Sequence, residues 1–321
     1  MKRVVLAGAS GFIGRELAAA YRAEGASVHL IGRNGPHARW GQTAAITDLV
    51  DGADLVVNMA GKSVNCRYTA DNRAEIVRSR VETTRELATA IADAENPPPL
   101  WINSSTATIY RHAEDRPQTE SDGELGTGFS VEVAKAWESA FFETPLPDTR
   151  RVALRTAIVL GDGSVMGPFS TLARFGLGGA QLDGHWFASA ARRAAGTFHE
   201  FRARGGRQKF SWVHMDDVIG AIRFLERHDE LDGVVNVSSP SPTDSVGFMR
   251  TLRTVLGAPI GIPAPRFVLE IGSAVIKTET ELVLKSRWVL PERLLDAGYE
   301  FAYPELEPAL RQIVGEKRVL V

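Results

Sequence analysis

Cysteine is all but missing from this chain: Cys66 is the one thiol in 321 residues. That excludes an internal disulfide, and no Cys/His cluster with zinc-like spacing is present, so no metal is expected. Neither sign of charge is in surplus. The 37 Lys and Arg are set against 39 Asp and Glu, a net charge of −2. Nothing in that balance calls for a nucleic acid or a membrane surface as partner. No apolar run reaches the ~18 residues of a membrane span. Met1 leads straight into an apolar strand, leaving no room for a signal peptide, so the expected compartment is cytoplasmic.

What the chain does have is a glycine-bounded turn at its start. Lys2 to Ala7 reads as a short buried strand, and Gly8-Ala9-Ser10-Gly11-Phe12-Ile13-Gly14 follows at once. Arg15 to Glu24 reads as a helix, and Ser27 to Ile31 as a second strand ending at Gly32-Arg33. In such a βαβ unit the first glycine permits a tight turn, the second lets a ligand approach the backbone, and the third lets helix and strand pack. The helix N-terminus offers free N–H groups to a pyrophosphate. At the end of the second strand an NAD site usually places Asp or Glu for the ribose hydroxyls. Arg33 stands there instead, and a guanidinium suits a 2′-phosphate, so NADP is favoured. The alternative is an exposed arginine at a strand end.

Apolar strands continue at 54–61, 100–105 and 151–160, with helical patterns at 69–93 and 129–142 between them. This alternation predicts an α/β fold with a Rossmann-type, doubly wound parallel sheet. The turns at 8–14, 32–34, 59–62 and 104–110 then share its ligand edge. Gly161 to Gly206 lacks tidy alternation. Short strands are expected at 210–214 and 234–238, with a helix over 218–227 capped by Asp216-Asp217. The expected division is an NADP-binding domain over 1–165, completed by about 208–238. Residues 166–207 and 239–321 would make a smaller C-terminal substrate lobe.

These stretches resemble the extended short-chain dehydrogenase/reductase superfamily. Within it the chain is similar to an atypical branch, NAD(P)-dependent epimerase/dehydratase-like, with a C-terminal domain of unknown function. The resemblance rests on Gly8 to Gly14, Asn58 to Gly61, Ser79 to Thr84, Ala136-Trp137-Glu138 and Leu154-Arg155-Thr156. It continues through Gly176 to Gly179, Trp212 to Asp217 and Val289 to Gly298. It implies that NADP lies on Gly8, Ser10, Gly11, Phe12 and Ile13. Gly32 and Arg33 would meet the adenosine phosphate, and Met59 and Ala60 would run along its middle. Glu75, Arg80 and Val159 match further cofactor contacts. Helix spacing alone would make Glu75 and Arg80 a solvated face.

One expected feature is missing. The superfamily works with a Tyr and a Lys four residues later, because an ammonium beside a phenol brings its pKa toward working pH. The residues four after Tyr21, Tyr68, Tyr110, Tyr299 and Tyr303 are Gly25, Asn72, Glu114, Tyr303 and Glu307. Aligned on Glu138, Ser130 and Ala134 stand where the pair belongs. Thr106 matches the superfamily's substrate-binding hydroxyl. Tyr110 is the expected replacement acid/base and Lys135 its helper; the alternative is a pocket wall and a surface lysine. His185 to Lys209 carries six cationic side chains against Glu200, with aromatic residues interleaved. It reads either as a basic lid selecting an anionic small-molecule substrate or as a surface hairpin, including a homodimer contact. The expected function is that of an NADP-dependent oxidoreductase or epimerase-like enzyme on a small carbonyl or hydroxyl compound, a sugar derivative among them. The second reading is an NADP-binding redox sensor or interaction protein without turnover.

Overall fold

The computed structural model describes residues 1–319, apart from 164 and 276. In chain order the strands are β1 (Arg3–Ala7), β2 (Ser27–Gly32), β3 (Ala38–Arg39), β4 (Leu55–Asn58), β5 (Leu100–Thr106) and β6 (Arg150–Thr156). Then come β7 (Ile158–Leu160), β8 (Lys209–Phe210), β9 (Trp212–His214), β10 (Gly233–Val237) and β11 (Thr243–Asp244). The first helices are α1 (Phe12–Ala23), α2 (Thr43–Val50), α3 (Ala70–Ala92), α4 (Phe129–Phe142), α5 (Met166–Arg174) and α6 (Ala190–Ala194). The later ones are α7 (Met215–Arg227), α8 (Ser245–Leu256), α9 (Arg266–Val275), α10 (Glu281–Leu284), α11 (Glu292–Asp296) and α12 (Leu306–Val319).

Seven strands form one parallel sheet in the order β10-β6-β5-β4-β1-β2-β3. This is the doubly wound arrangement that the alternation predicts. Successive β1 residues go to opposite faces: Val4 and Leu6 join a core with Leu17, Val218 and Ile222, whereas Val5 and Ala7 join Ile46, Leu87 and Trp101. Burial on both faces is why these strands read as unbroken apolar runs. The chain winds outward from β1 to β3, then restarts on the other side at β4. Strands β1 and β4 therefore flank the switch point, where the crevice of such a sheet opens. A third core, with Trp212, Phe248, Leu252 and Leu310, ties β9 to α8 and α12. Among the described residues, no helix is long and apolar enough to cross a membrane.

Three local expectations needed correction. The strand expected over 151–160 is two strands. The Ala157 N–H donates to the Val237 carbonyl and the Ile158 N–H to the Ser211 carbonyl, so the chain changes partner there. Helix α2 was not foreseen; it buries only Ile46 and Val50. Helix α7 is capped by His214, not by the aspartates: His214 Nδ1 accepts from the Asp216 N–H at 3.2 Å. Asp217 is instead buried and accepts from the Ala302 and Tyr303 N–H groups at 2.6 and 3.0 Å.

Candidate active site

The three glycines of the first turn play three separate roles. Gly8 has φ +82°, and a Cβ there would lie 2.6 Å from the Met59 carbonyl, so the β1 and β4 turns touch through it. A Cβ on Gly14 would lie 2.6 Å from the Gly8 carbonyl oxygen, so α1 packs onto the turn at backbone distance. Gly11 differs. It is exposed, has an ordinary φ of −76°, and its Cβ would meet only the Gly8 oxygen at 3.3 Å. A Cβ here would ask the Gly8 carbonyl to give by a few tenths of an ångström, a far milder demand than at Gly8 or Gly14. The side left open faces the N-terminus of α1, whose N–H groups suit an anion. Ser10 is exposed beside it, while Phe12 and Ile13 are half-buried, with the Phe12 ring against Gly161 and Gly163.

The β4 turn is fixed from below. Asn58 is fully buried; its amide donates to Asn103 Oδ1 at 2.7 Å and to Thr84 Oγ1 at 3.1 Å. Its Oδ1 accepts from the Ala60 N–H at 3.0 Å. Met59 and Ala60 are thus held beside Gly8. Arg80, on α3, reaches back under this turn and donates to the Lys62 and Ile76 carbonyls, both at 3.0 Å. Burial pushes its guanidinium down to about 10, and no carboxylate pairs with it among the described residues. Glu75, by contrast, is on the rim. Its carboxyl is held below the ordinary range by the hydrogen bonds from Arg78, with Lys62 and Arg33 nearby adding to the effect. Arg33, exposed after β2, therefore stands over the same edge as α3. Gly32 is open on that side. Val159 lies on β7 with its side chain in the core, so only its main chain could serve a ligand.

The expected catalytic group does not assemble. Thr106 closes β5 at the ligand edge and is half-buried, with Oγ1 accepting from the Thr108 N–H at 3.2 Å. Tyr110 is 1% exposed. Its hydroxyl donates to Asn236 Oδ1 and accepts from Arg155 NH1, both at 3.0 Å. Burial raises its pKa, against the pull of Arg155. A phenol buried in the core, with its proton given to Asn236 and its oxygen held by Arg155, is closed to a substrate. Lys135 donates to the Gly126 carbonyl and to Glu132 at 3.1 and 3.0 Å, and makes no bond to Tyr110. Tyr110 instead belongs to a buried chain. Arg155 forks onto Glu138 at 2.9 and 2.7 Å, and Glu138 accepts from Ser105 at 2.6 Å.

Residues from the C-terminal third arrive at Thr108: Lys285, which the sequence does not single out, and Arg287, which in Ser286-Arg287-Trp288 offers either an anion contact or a structural role. Lys285 is 3% exposed, donates from Nζ to the Thr108 carbonyl at 2.7 Å, and is pushed down by burial to about 8. Arg287 donates from Nε to Thr108 Oγ1 at 3.0 Å. Glu281 accepts from Ser130 Oγ at 3.0 Å, in the first turn of α4. The basic segment is partly spent on its own neighbours: Arg192 meets Glu270 and Glu279 at 3.4 Å each, and His199 meets Asp183 at 2.8 Å. It crosses to α4 through the Phe129 N–H, which donates to the Gly196 carbonyl. Arg193, Arg202, Arg204 and Arg207 remain exposed. Among the described residues no cluster could hold a metal.

A family model described as the NAD dependent epimerase/dehydratase family matches residues 4–136. A second, described as a domain of unknown function (DUF1731), matches residues 264–313. Epimerase family protein SDR39U1 of Bos taurus is 32% identical over 325 residues, covering 98% of this chain and all of the relative. Epimerase family protein YfhF of Bacillus subtilis is 26% identical, covering 99% of each. The crystal structure of human SDR39U1 isoform 2 with NADPH superposes with a TM-score of 0.83 at 30% identity, over 98% of this chain and 99% of that one.

Proposed function

Because the chain belongs to the NAD-dependent epimerase/dehydratase family, we propose that it holds NADP along β1, β2 and β4 and acts as an oxidoreductase or epimerase-like enzyme. The observation that carries this reading is Gly11, the glycine of the three on which the fold makes the mildest demand, beside an open helix N-terminus. The NADPH in the human relative's structure supports the choice of cofactor. Bound there, NADP supplies a hydride acceptor, or donor when reduced. Gly8, Ser10, Gly11, Phe12 and Ile13 would line the pyrophosphate, Gly32 and Arg33 the 2′-phosphate, and Met59, Ala60 and the main chain at Val159 the rest. Glu75 and Arg80 would support the turn from α3. Thr106 would donate its hydroxyl to the substrate oxygen. The substrate would be a small carbonyl or hydroxyl compound, sugar derivatives included, and exposed cations of the 185–209 segment would favour an anionic one.

Calorimetry with NADPH and NADH tests the cofactor, with binding of NADPH and weaker binding of NADH expected. Oxidation of NADPH across a panel of carbonyl compounds tests turnover. A second reading, NADP binding without turnover, is favoured by the occupied Tyr110 hydroxyl and the missing Tyr-x-x-x-Lys pair. Tight binding with no change of redox state in any substrate would select it.

A further inference from the structure

Resting on the enzymatic reading above, we propose that Tyr68 is the acid/base residue of this chain, held by a hydroxyl and a carboxylate from two other elements. Tyr68 lies in the loop that begins at the Met59–Ala60 turn, so its main chain leaves the same sheet edge as the glycine turn and Thr106. It is 8% exposed, with its ring edge-on to Phe129 at 4.9 Å. Its N–H donates to Glu279 Oε1 at 2.9 Å, which pins the loop to the C-terminal segment. Its hydroxyl lies 3.4 Å from Ser130 Oγ, and Ser130 Oγ donates to Glu281 Oε2 at 3.0 Å. With Ser130 donating onward, the remaining bond runs from the Tyr68 O–H to Ser130. The result is a directed chain, phenol to hydroxyl to carboxylate.

The setting makes this more than a structural bond. Ser130 occupies the first turn of α4, and the Tyr68 phenol lies close enough to Arg287, which donates to Thr108 Oγ1, for the two to interact electrostatically. Arg287 and Lys285 grip Thr108 from the other side. Tyr110, the other tyrosine at this edge, is sealed by Arg155 and Asn236, whereas the hydroxyl of Tyr68 has a lone pair free of any such donor. Burial holds the Tyr68 phenol up at about 12, so in the free protein it is neutral and has a proton to give.

For oxidation of a hydroxyl compound the balance is complete. The substrate C–H electron pair passes as hydride to NADP, and the substrate O–H proton goes to Tyr68 Oη. The original Tyr68 proton moves to Ser130, and that of Ser130 to the Glu281 carboxylate. Reduction of a carbonyl by NADPH runs the same transfers in reverse. Tyr68 touches the reacting oxygen; Ser130 and Glu281 are positioning residues.

The test uses the full chain with its five tyrosines labelled at the ring carbon bearing oxygen, with the Tyr68 resonance assigned from Tyr68→Phe. Adding NADP should move the Tyr68 signal and leave that of Tyr21 in place. Glu281→Gln should move it in the free protein, because the charged end of the chain is lost. In parallel, with 9,10-phenanthrenequinone as the carbonyl probe, Tyr68→Phe should lower kcat roughly a hundredfold or more. Its NADPH affinity by calorimetry should stay within about twofold, which is ~0.4 kcal/mol where a tenfold change is ~1.4. Heat of NADP binding with an unmoved Tyr68 resonance overturns the proposal, as does a Tyr68→Phe protein that keeps its kcat. No heat at all removes the cofactor reading itself, and the proposal with it. The resonance decides the matter even where the quinone is not reduced.

Discussion

Substituting Ala for Gly11 separates a glycine kept for a ligand from one kept for the fold. At Gly11 the backbone is in an ordinary region, and the new methyl meets only the Gly8 oxygen at 3.3 Å. As the residue that caps α1, alanine is worse than glycine by about 0.5–1 kcal/mol. The unfolded chain loses freedom worth about 0.4–1 kcal/mol in the opposite sense. The two terms cancel, so the melting temperature should stay within about 2 °C. Binding should not survive so well. A methyl in the path of the pyrophosphate would push it off the α1 N–H groups, and each charged hydrogen bond lost is worth about 1.5–3 kcal/mol. That is about a ten- to hundredfold loss of NADPH affinity. Gly8→Ala gives the opposite pattern. Positive φ costs an alanine about 1–2 kcal/mol, and a Cβ 2.6 Å from the Met59 carbonyl forces the two turns apart. Its melting temperature should fall by several degrees, at about 2 °C or more per kcal/mol. Calorimetry and thermal melts on the three proteins decide the matter. A Gly11→Ala protein that binds NADPH like the parent, or melts as early as Gly8→Ala, refutes the reasoning.

Arg33→Ser should weaken NADPH by about tenfold and leave NADH unchanged, since one screened charge-assisted contact is at stake; equal losses for both nucleotides would remove Arg33 from the phosphate. Arg155→Met strands the Glu138 carboxylate, 8% exposed, and should cost about 3–5 kcal/mol in denaturant unfolding, with Glu138→Gln added in the same chain recovering part of it. Lys285 gives a pH signature. Burial holds it near 8 in the folded chain against 10.5 when unfolded, so the unfolded state binds more protons between those values. Its contribution to stability therefore rises with pH across that window, by up to about 3 kcal/mol. Unfolding free energies of the parent minus those of Lys285→Met should climb from pH 8 to 10.5, and a flat difference would count against a charged, buried ammonium.

The parts of the fold that were legible in the sequence are those governed by local rules. Glycines at 8, 11 and 14 between an apolar run and a helix pattern announce a βαβ turn, because a positive φ at Gly8 and backbone-distance packing at Gly14 admit few other residues. Helix α4 has the expected bounds, 129–142, since Gly128 precedes it and its apolar spacing is regular. What local rules do not reach was missed. Tyr110 looked available because nothing near it in sequence shows Arg155 or Asn236, 45 and 126 residues away, closing on its hydroxyl. Lys135 looked like a helper until the Gly126 carbonyl, nine residues back, was seen to hold it. Tyr68 gave no signal at all. Its partners Ser130 and Glu281 are brought together by the tertiary fold, across separations of 62 and 151 residues. The one hint was compositional: Glu279, Glu281, Lys285 and Arg287 crowd into nine residues of the C-terminal third, a density of charge that becomes costly once buried.

Thr108 is clasped by Lys285 and Arg287, and the Tyr68 loop by Glu279, all from the stretch matched by the model of unknown function. A shortened protein ending before residue 264 would keep every strand of the main sheet but lose Leu294 from the core beneath β1, and Leu310 and Ile313 from the core that ties β9 to α8. It would also take Lys285 and Arg287 from Thr108 and Glu279 from the Tyr68 loop in one cut. The C-terminal stretch is therefore built into both the packing of the sheet and the wall beside Thr108, not laid over a finished domain.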